Sequence, residues 1–415
     1  MTLGSGATFG IFCSLAAVGL TEARPIHVKS VAGIVTAYHH NAHADVILGR
    51  LLETDTLDGK GKHSPLKLVS LYTDQVPKND TSRALAASHD FEIYPTIEGA
   101  LTLGTGKLAV DGVLLIAEHG DYPKSPSGNT VYPKRRFFEG IVKVFKASGR
   151  VVPLFFDKHL SDNWREAKFI YDTAREMKIP LMAGSSLPTT WRKPAVDVER
   201  GAELSEIVVV MYGPLDSYGF HALETVQALA EQRKGGETGI KSVQCRTGNA
   251  VWETLQNGVL DPEVFHAAVD RVIRPLGPGT VRERVQNPLL FTLEYADGLR
   301  AHVAALTDYH AEWTAAWRYK KDRRIESANI WLQDGRPFMH FTYFLHAIED
   351  LMLTEKTTRP IERTLLTSGA LDALLLSKLK GGARLETPYL LFSYPSGRRW
   401  QQPPPPPPTR PWASK

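Results

Sequence analysis

Histidines and carboxylates recur in four short stretches of this sequence: His39, His40 and His43; Glu118, His119 and Asp121; Asp157 and His159 on either side of Lys158; and His221 with Glu224. Imidazole titrates near neutral pH and suits proton transfer. Imidazole and carboxylate together also suit zinc, manganese or iron. The four stretches show no diagnostic metal spacing, so no metal ligand is assigned from them. A fifth group, Tyr309, His310, Trp313, Trp317 and Tyr319, alternates as strand residues do and reads as packing or a subunit contact before it reads as a platform for a sugar ring. Arg192, after Trp191, is either a contact for a polar ligand or a solvated cation.

The elements that must carry these residues follow from hydrophobic periodicity. From 27 to 188, short apolar runs alternate with amphipathic stretches. Strands are expected at 31–35, 66–72, 91–94, 110–117, 151–156 and 180–183, with helices at 42–52, 81–89, 137–147 and 163–178. Continuous apolar strands separated by helices specify a parallel sheet covered on both faces, a doubly wound Rossmann-type α/β domain. Its ligand crevice lies at the carboxyl ends of the strands. Beyond 194 the pattern changes. Strands at 207–211, 240–247, 289–295, 299–306 and 327–332, a helix at 220–233 and two closing helices at 338–353 and 361–380 describe an α+β domain with an open, largely antiparallel sheet. The turn Tyr295-Ala296-Asp297-Gly298 makes one hairpin. The expected division is a leader or extension over 1–26, a dinucleotide-binding domain over 27–195, a substrate and oligomerisation domain over 196–396, and a proline-rich tail over 397–415.

A dinucleotide would bind where the first strand runs into the first helix. The run Gly4-Ser5-Gly6-Ala7-Thr8-Phe9-Gly10 is a decoy, since no strand precedes it and its third glycine is one residue late. In the correct context the three glycine positions are held by Val35, Ala37 and His40. The usual reasons for glycine there are close backbone approach to the pyrophosphate and close packing of helix on strand. Thr36 and the amides opening the helix can still hold a phosphate. Asp74, ending the second strand, is placed to accept from a ribose hydroxyl, with the bland alternative of a turn-forming aspartate.

Composition bounds the rest. The 415 residues are 43% hydrophobic and 23% charged, an ordinary globular balance that points to two domains. A net charge of +4 without a concentrated basic patch argues against nucleic acid. Two cysteines, Cys13 and Cys245, cannot build a disulfide framework. The apolar run 7–20 is too short to span a bilayer, and no Lys or Arg precedes it, which favours a cytoplasmic extension over an export signal. Six consecutive prolines within 401–408 favour an extended, solvated tail.

The order of elements, with several signatures, resembles the Gfo/Idh/MocA family of glucose–fructose oxidoreductase and inositol dehydrogenase relatives over about residues 30–390. Asp157-Lys158-His159-Leu160 stands where the family carries Glu-Lys-Pro after the fifth strand. The helix and strand that follow, through Ser186, match the family closely, and Tyr218-Gly219-Phe220-His221-Ala222-Leu223-Glu224 fits the latter part of its Asp-x-Gly-x-His-x-x-Asp signature. The resemblance implies that Lys158 is the catalytic lysine, orienting the reacting hydroxyl, and His221 the catalytic acid/base. It implies an NAD or NADP cofactor held by Val35, Thr36, Ala37, Tyr38, Asp74, Glu118, His119 and Asp157, a sugar or cyclitol substrate, and a homo-oligomer formed through the second sheet. The sequence departs from the pattern at His159 for proline, at Ser217 for aspartate, and at Glu118-His119-Gly120 for the usual Thr-Pro-Asn. Two alternatives accompany the oxidoreductase reading: a metal-using epimerase or lyase on the same scaffold, and a non-catalytic binding or assembly relative.

Overall fold

The computed structural model describes residues 1–2, 28–333, 335–397 and 399–405. The leader, Cys13, the glycine-rich decoy and the last of the prolines lie outside the described residues.

The first half builds a parallel sheet. Its chain order is β1 (Lys29–Val35), α1 (His43–Leu52), β2 (Leu66–Thr73), α2 (Ser82–Ser88), β3 (Glu92–Ile93), α3 (Ile97–Thr102), β4 (Gly112–Ile116), α4 (Lys134–Ser148), β5 (Leu154–Asp157), α5 (Trp164–Glu176) and β6 (Leu181–Gly184). The strands lie in the order β3-β2-β1-β4-β5-β6, all pairs parallel. Chain order reverses between β1 and β4, the point at which such sheets open a crevice. Every residue of β4 and β5 is buried, which explains their unbroken apolar runs. Helix α4 sets Phe137, Phe138, Ile141 and Phe145 on the sheet and stops at Gly149, whose φ of 61° suits a residue without Cβ. Asn163 caps α5, its side chain accepting from the Glu166 amide at 3.0 Å.

The second half comprises β7 (Trp191–Lys193), β8 (Leu204–Met211), α6 (Leu215–Ala230), β9 (Ile240–Thr247), α7 (Asn249–Gln256), α8 (Pro262–Val269), α9 (Val281–Arg284), β10 (Leu289–Tyr295), β11 (Arg300–Ala305), β12 (Thr314–Tyr319), β13 (Ile325–Trp331), α10 (His340–Thr354), α11 (Ile361–Leu379) and β14 (Leu385–Glu386). Its eight strands run β14-β9-β10-β11-β8-β12-β13-β7, antiparallel except for β11 beside β8. Helices α6 and α11 bury one face, with Phe220, Val226, Leu371 and Leu374 against Val209, Phe291, Val303 and Trp317. On the other face Trp252, Val264 and Phe265 of α7 and α8 cover Val208, Val210 and Ala316. The rest of that face, near β9 and β10, carries Arg246, Thr292, Glu294 and Arg384. Self-association through this sheet would have to use a polar, partly helix-covered surface.

Three features of the second half depart from the sequence reading. Segment 249–284, without an expected element, forms three helices. Helix α10 returns to the first sheet, where Phe341, Phe344, Ile348, Leu351 and Met352 pack on Val31, Leu114, Ile116 and Phe155. The described part of the proline-rich tail is docked rather than solvated. Trp400 Nε1 donates to the Thr190 carbonyl at 2.9 Å, Trp191 Nε1 donates to the Pro404 carbonyl at 2.6 Å, and Arg192 lies 4.3 Å over the Trp400 ring. Trp400 on the tail and the buried Trp191 of β7 each supply an indole donor and apolar surface to this contact.

Candidate functional site

The carboxyl ends of β4 and β5 present the chemistry. His119, just beyond β4, and Lys158, just beyond β5, both hold left-handed backbones, with φ of 67° and 59°. Such a conformation is costly for a residue with a Cβ and persists only where the surroundings enforce it. For Lys158 the enforcement is visible: its N–H and carbonyl exchange two 3.1 Å hydrogen bonds with Gly184 at the end of β6. Gly184 has φ of 123°, and a Cβ there would stand 2.6 Å from Glu224 Oε2.

Lys158 Nζ donates to Glu118 Oε2 at 3.0 Å, both groups buried. Lys134 lies 3.8 Å from the other oxygen of Glu118 and donates to the carbonyls of Asp157 and His159 at 3.0 and 2.8 Å. Burial opposes the charge on Glu118, but Lys158 and Lys134 outweigh it and hold the carboxylate well below its ordinary range. Burial likewise opposes the charge on Lys158, and Glu118 and Asp157 outweigh it, so the ammonium keeps its proton. Lys134, fully buried, is pulled down to about 8. A lysine fixed by strain and kept charged by a carboxylate is suited to holding negative charge on a substrate oxygen.

His221, on α6, comes from the half of the chain that builds the second sheet. Its Nδ1 lies 2.5 Å from Ser185 Oγ, and that oxygen accepts from the Leu187 amide at 3.1 Å. Nδ1 is the one acceptor that the described hydrogen bonds offer the serine hydroxyl, and in the tautomer that uses it Ser185 donates to Nδ1 while neutral His221 carries its own proton on Nε2. Burial, then the charges of Lys158 and His43, push its pKa well below the usual imidazole value. Burial thus favours the neutral ring at His221.

Lys158 and His221 line one cavity of about 390 Å³, shared with His43, His119, Trp313 and Phe341. His43 opens α1 and gives its Nδ1 to Asp157 Oδ2 at 2.6 Å. Phe341 from α10 meets the His43 ring edge-to-face at 5.3 Å, and Trp313 meets His221 at 6.0 Å. The Nε2 of His119 is buried without a partner, and burial and His43 lower this imidazole to about 4. The aromatic series near residue 313 divides: Trp313 reaches the cavity, whereas Trp317 and Tyr319 sit in the core, joined at 3.1 Å.

The remaining expected cofactor residues lie away from this cavity or at its edge. Val35 is core, and Ala37 and Tyr38 are buried, Tyr38 with a partnerless hydroxyl. Thr36 Oγ1 donates to the Glu118 carbonyl at 2.6 Å, tying the ends of β1 and β4. Asp74 accepts from Arg136 at 2.7 and 2.8 Å, from Tyr72 at 2.8 Å and from Tyr122 at 2.7 Å. Burial opposes the charge on Asp74, but these donors outweigh it and hold its pKa low. Asp157 is buried behind His43. Among the described residues no group of three or more His, Cys, Asp or Glu is gathered to hold a metal ion, although His39 and His43 each approach His119, with ring centroids 5.3 and 5.6 Å apart. Among them, too, no helix is long and apolar enough to cross a membrane.

No family model and no curated protein matches the chain. Solved structures do. GenD2 from gentamicin A biosynthesis, in complex with NAD, superposes with a TM-score of 0.55 at 15% identity, covering 89% of this chain and 99% of that one. The apo scyllo-inositol dehydrogenase of Lactobacillus casei gives 0.53 at 11%, covering 87% and 98%. The super-repressor mutant of Gal80p from Saccharomyces cerevisiae gives 0.52 at 10%, covering 87% and 99%. The chain has the inositol dehydrogenase fold. The superposition spans nearly the whole length of each of these structures.

Sheets of this kind open their ligand crevice at the switch point, here between β1 and β4, and two observations fit an anionic group there. Helix α1 opens at Ala42 with no side-chain cap on its amides, and His119 leaves a buried nitrogen unpartnered beside them. Sequence reasoning left His43 and Glu118 without their partnership to Asp157 and Lys158. It missed Ser185, Lys134 and Phe341 as site residues altogether. Ser185 directly follows β6 and could have been flagged by position, but Lys134 opens α4 and Phe341 comes from α10, with no local signal of either destination.

Proposed function

We propose that the chain is an oxidoreductase that uses NAD or NADP to oxidise or reduce a hydroxyl of a sugar or cyclitol. The observation that carries this reading is the shared cavity, in which a charged Lys158 from the first half of the chain and His221 from the second line one open cleft beyond the carboxyl end of the parallel sheet. GenD2 in complex with NAD and the scyllo-inositol dehydrogenase support both the cofactor class and the substrate class. The open amides of α1, Thr36 and His119 would hold the dinucleotide, with Asp74 at its ribose. When bound, NAD(P) supplies or accepts a hydride.

The chain's own residues prepare the other partner. Lys158 donates to the reacting oxygen and holds the charge that develops there. His221 donates through Nε2 to the same or a neighbouring hydroxyl, and Trp313 and Phe341 close the apolar faces and exclude water. Isothermal titration of the full chain with NAD⁺ and NADP⁺, followed by turnover assays on inositols and hexoses, tests the proposal. Binding of one nucleotide and turnover lost in Lys158→Ala are expected. Absence of binding to either nucleotide sinks it.

One observation favours a second reading, a non-catalytic binding protein on the fold that the super-repressor mutant of Gal80p also has. The loops at the crevice mouth satisfy one another: Gln75 bonds the Asp121 backbone at 2.8 and 2.9 Å, and Tyr122 closes on Asp74. Nucleotide binding would have to part these contacts. Unchanged biological output of a Lys158→Ala, His221→Ala double variant would select this reading.

A further inference from the structure

The cavity holds a second histidine whose arrangement is the reverse of that of His221. At His221 the neighbour at Nδ1 is the Ser185 hydroxyl, which can donate, and the tautomer in which it does so puts the ring proton on Nε2. At His43 a carboxylate accepts at Nδ1, 2.6 Å from Asp157 Oδ2. A carboxylate can only accept, so Nδ1 keeps its proton and the lone pair of neutral His43 is on Nε2. The ring is 17% exposed where it lines the cavity, and no hydrogen bond among the described residues occupies Nε2. An imidazole oriented through Nδ1 by a buried carboxylate, with a bare Nε2 facing bound substrate, is the arrangement of a general base. Asp157, 2% exposed, is immobilised in turn because its backbone ends β5 and its carbonyl accepts from Lys134.

We propose that His43, held by Asp157, is the proton-transferring residue of this cavity, and that His221 positions the substrate by donating to it. This rests on the reading that a substrate hydroxyl occupies the cavity. In the oxidising direction the hydroxyl O–H bond breaks and its proton passes to Nε2 of His43. The electron pair left on oxygen is held by the Lys158 ammonium and becomes the second carbon–oxygen bond as the carbon loses its hydride, which a bound NAD(P)⁺ would accept. The reducing direction returns the proton along the same path. The other charged or titratable groups facing His43 are Glu118 and His119 beyond β4, Lys158 beyond β5, His221 on α6 and His340 on α10. Of the cavity histidines, His43 is the one whose Nδ1 rests on a carboxylate.

Long-range proton–nitrogen correlation of the ¹⁵N-histidine-labelled full chain reads the tautomers directly, at about pH 9, above the ordinary imidazole range. The expected result is a protonated Nδ1 with a bare Nε2 at His43, and the opposite at His221, the signals being assigned by their loss in His43→Gln and His221→Gln. In Asp157→Asn the His43 tautomer preference is lost, because an amide can donate as well as accept. The opposite tautomer at His43 in the unsubstituted protein overturns the proposal, and that measurement needs neither a variant nor turnover. Where substrate turnover is found, His43→Gln lowers kcat by about 10²-fold or more with KM little changed, while His221→Gln acts chiefly on KM. The reverse split also overturns it. Absence of turnover on every polyol tried counts against the oxidoreductase reading and leaves the tautomer result to decide the role of His43.

Discussion

At the scale of single residues the site is governed by the Glu118 carboxylate between two buried lysines. Removing one member of such a group leaves uncompensated charge in the interior, which typically costs about 3–5 kcal/mol. Glu118→Gln is therefore expected to lower the melting temperature, because Lys158 and Lys134 then face each other without the carboxylate. It should also act on chemistry. Burial alone depresses an ammonium pKa, and Glu118 is the largest of the influences that raise that of Lys158. Without it Lys158 loses its proton at lower pH. The alkaline limb of the kcat profile should accordingly move to lower pH in Glu118→Gln, and an unmoved limb would show that Lys158 does not act as a cation.

At the scale of elements, the position of Lys158 depends on the bridge between the ends of β5 and β6. Gly184→Ala adds a methyl at a φ of 123° and within 2.6 Å of Glu224 Oε2, so the bridge must shift. The expected cost is about 1–3 kcal/mol, seen in chemical denaturation, with a fall in kcat larger than any rise in KM as Lys158 turns from the cavity. A variant that melts earlier yet turns over normally would separate the bridge from catalysis. The strands that carry these bridges were legible in the sequence because a buried parallel strand writes its burial into consecutive residues, as in Gly112–Ile116 and Leu154–Asp157. Helix α10 was legible as a helix but not as a lid on the first sheet, since periodicity reports which face is apolar and not what covers it. Lys158 and His221 came from resemblance. The partners that define their chemistry, Glu118 and Ser185, lie 40 and 36 residues away in sequence, and no local pattern joins them.

At the scale of the whole molecule, the buried imidazoles make stability depend on pH. Burial is the leading cause in each case and lowers His159, His302 and His340 to about 3 and His310 to about 4. In the unfolded chain the same rings titrate near 6.5. Above that value both states are neutral and the folded state has its full stability. Below it the unfolded chain takes up protons that the folded chain refuses, so stability falls with pH until the folded values are reached. The slope is at most about 1.4 kcal/mol per pH unit for each histidine. Glu118, held low, adds a loss below its ordinary range, whereas Glu224 and Glu237, raised chiefly by burial, act in the opposite direction. Because the carboxylates act mostly below the histidine range, the melting temperature should fall steadily as pH drops from about 6.5 to 5, whereas above about pH 8 Lys134, pulled down to about 8 in the fold, adds a gain in stability with rising pH. Differential scanning calorimetry across that interval measures it. His302→Gln isolates the cause: His302 lies wholly inside the second sheet, with Arg300 and Arg246 adding to burial against its charge, and far from the cavity chemistry. Whatever the substitution costs in packing is paid at every pH, so only the slope is diagnostic. A shallower slope in the variant assigns the acid sensitivity to buried neutral imidazole, and parallel curves for variant and parent would assign it elsewhere.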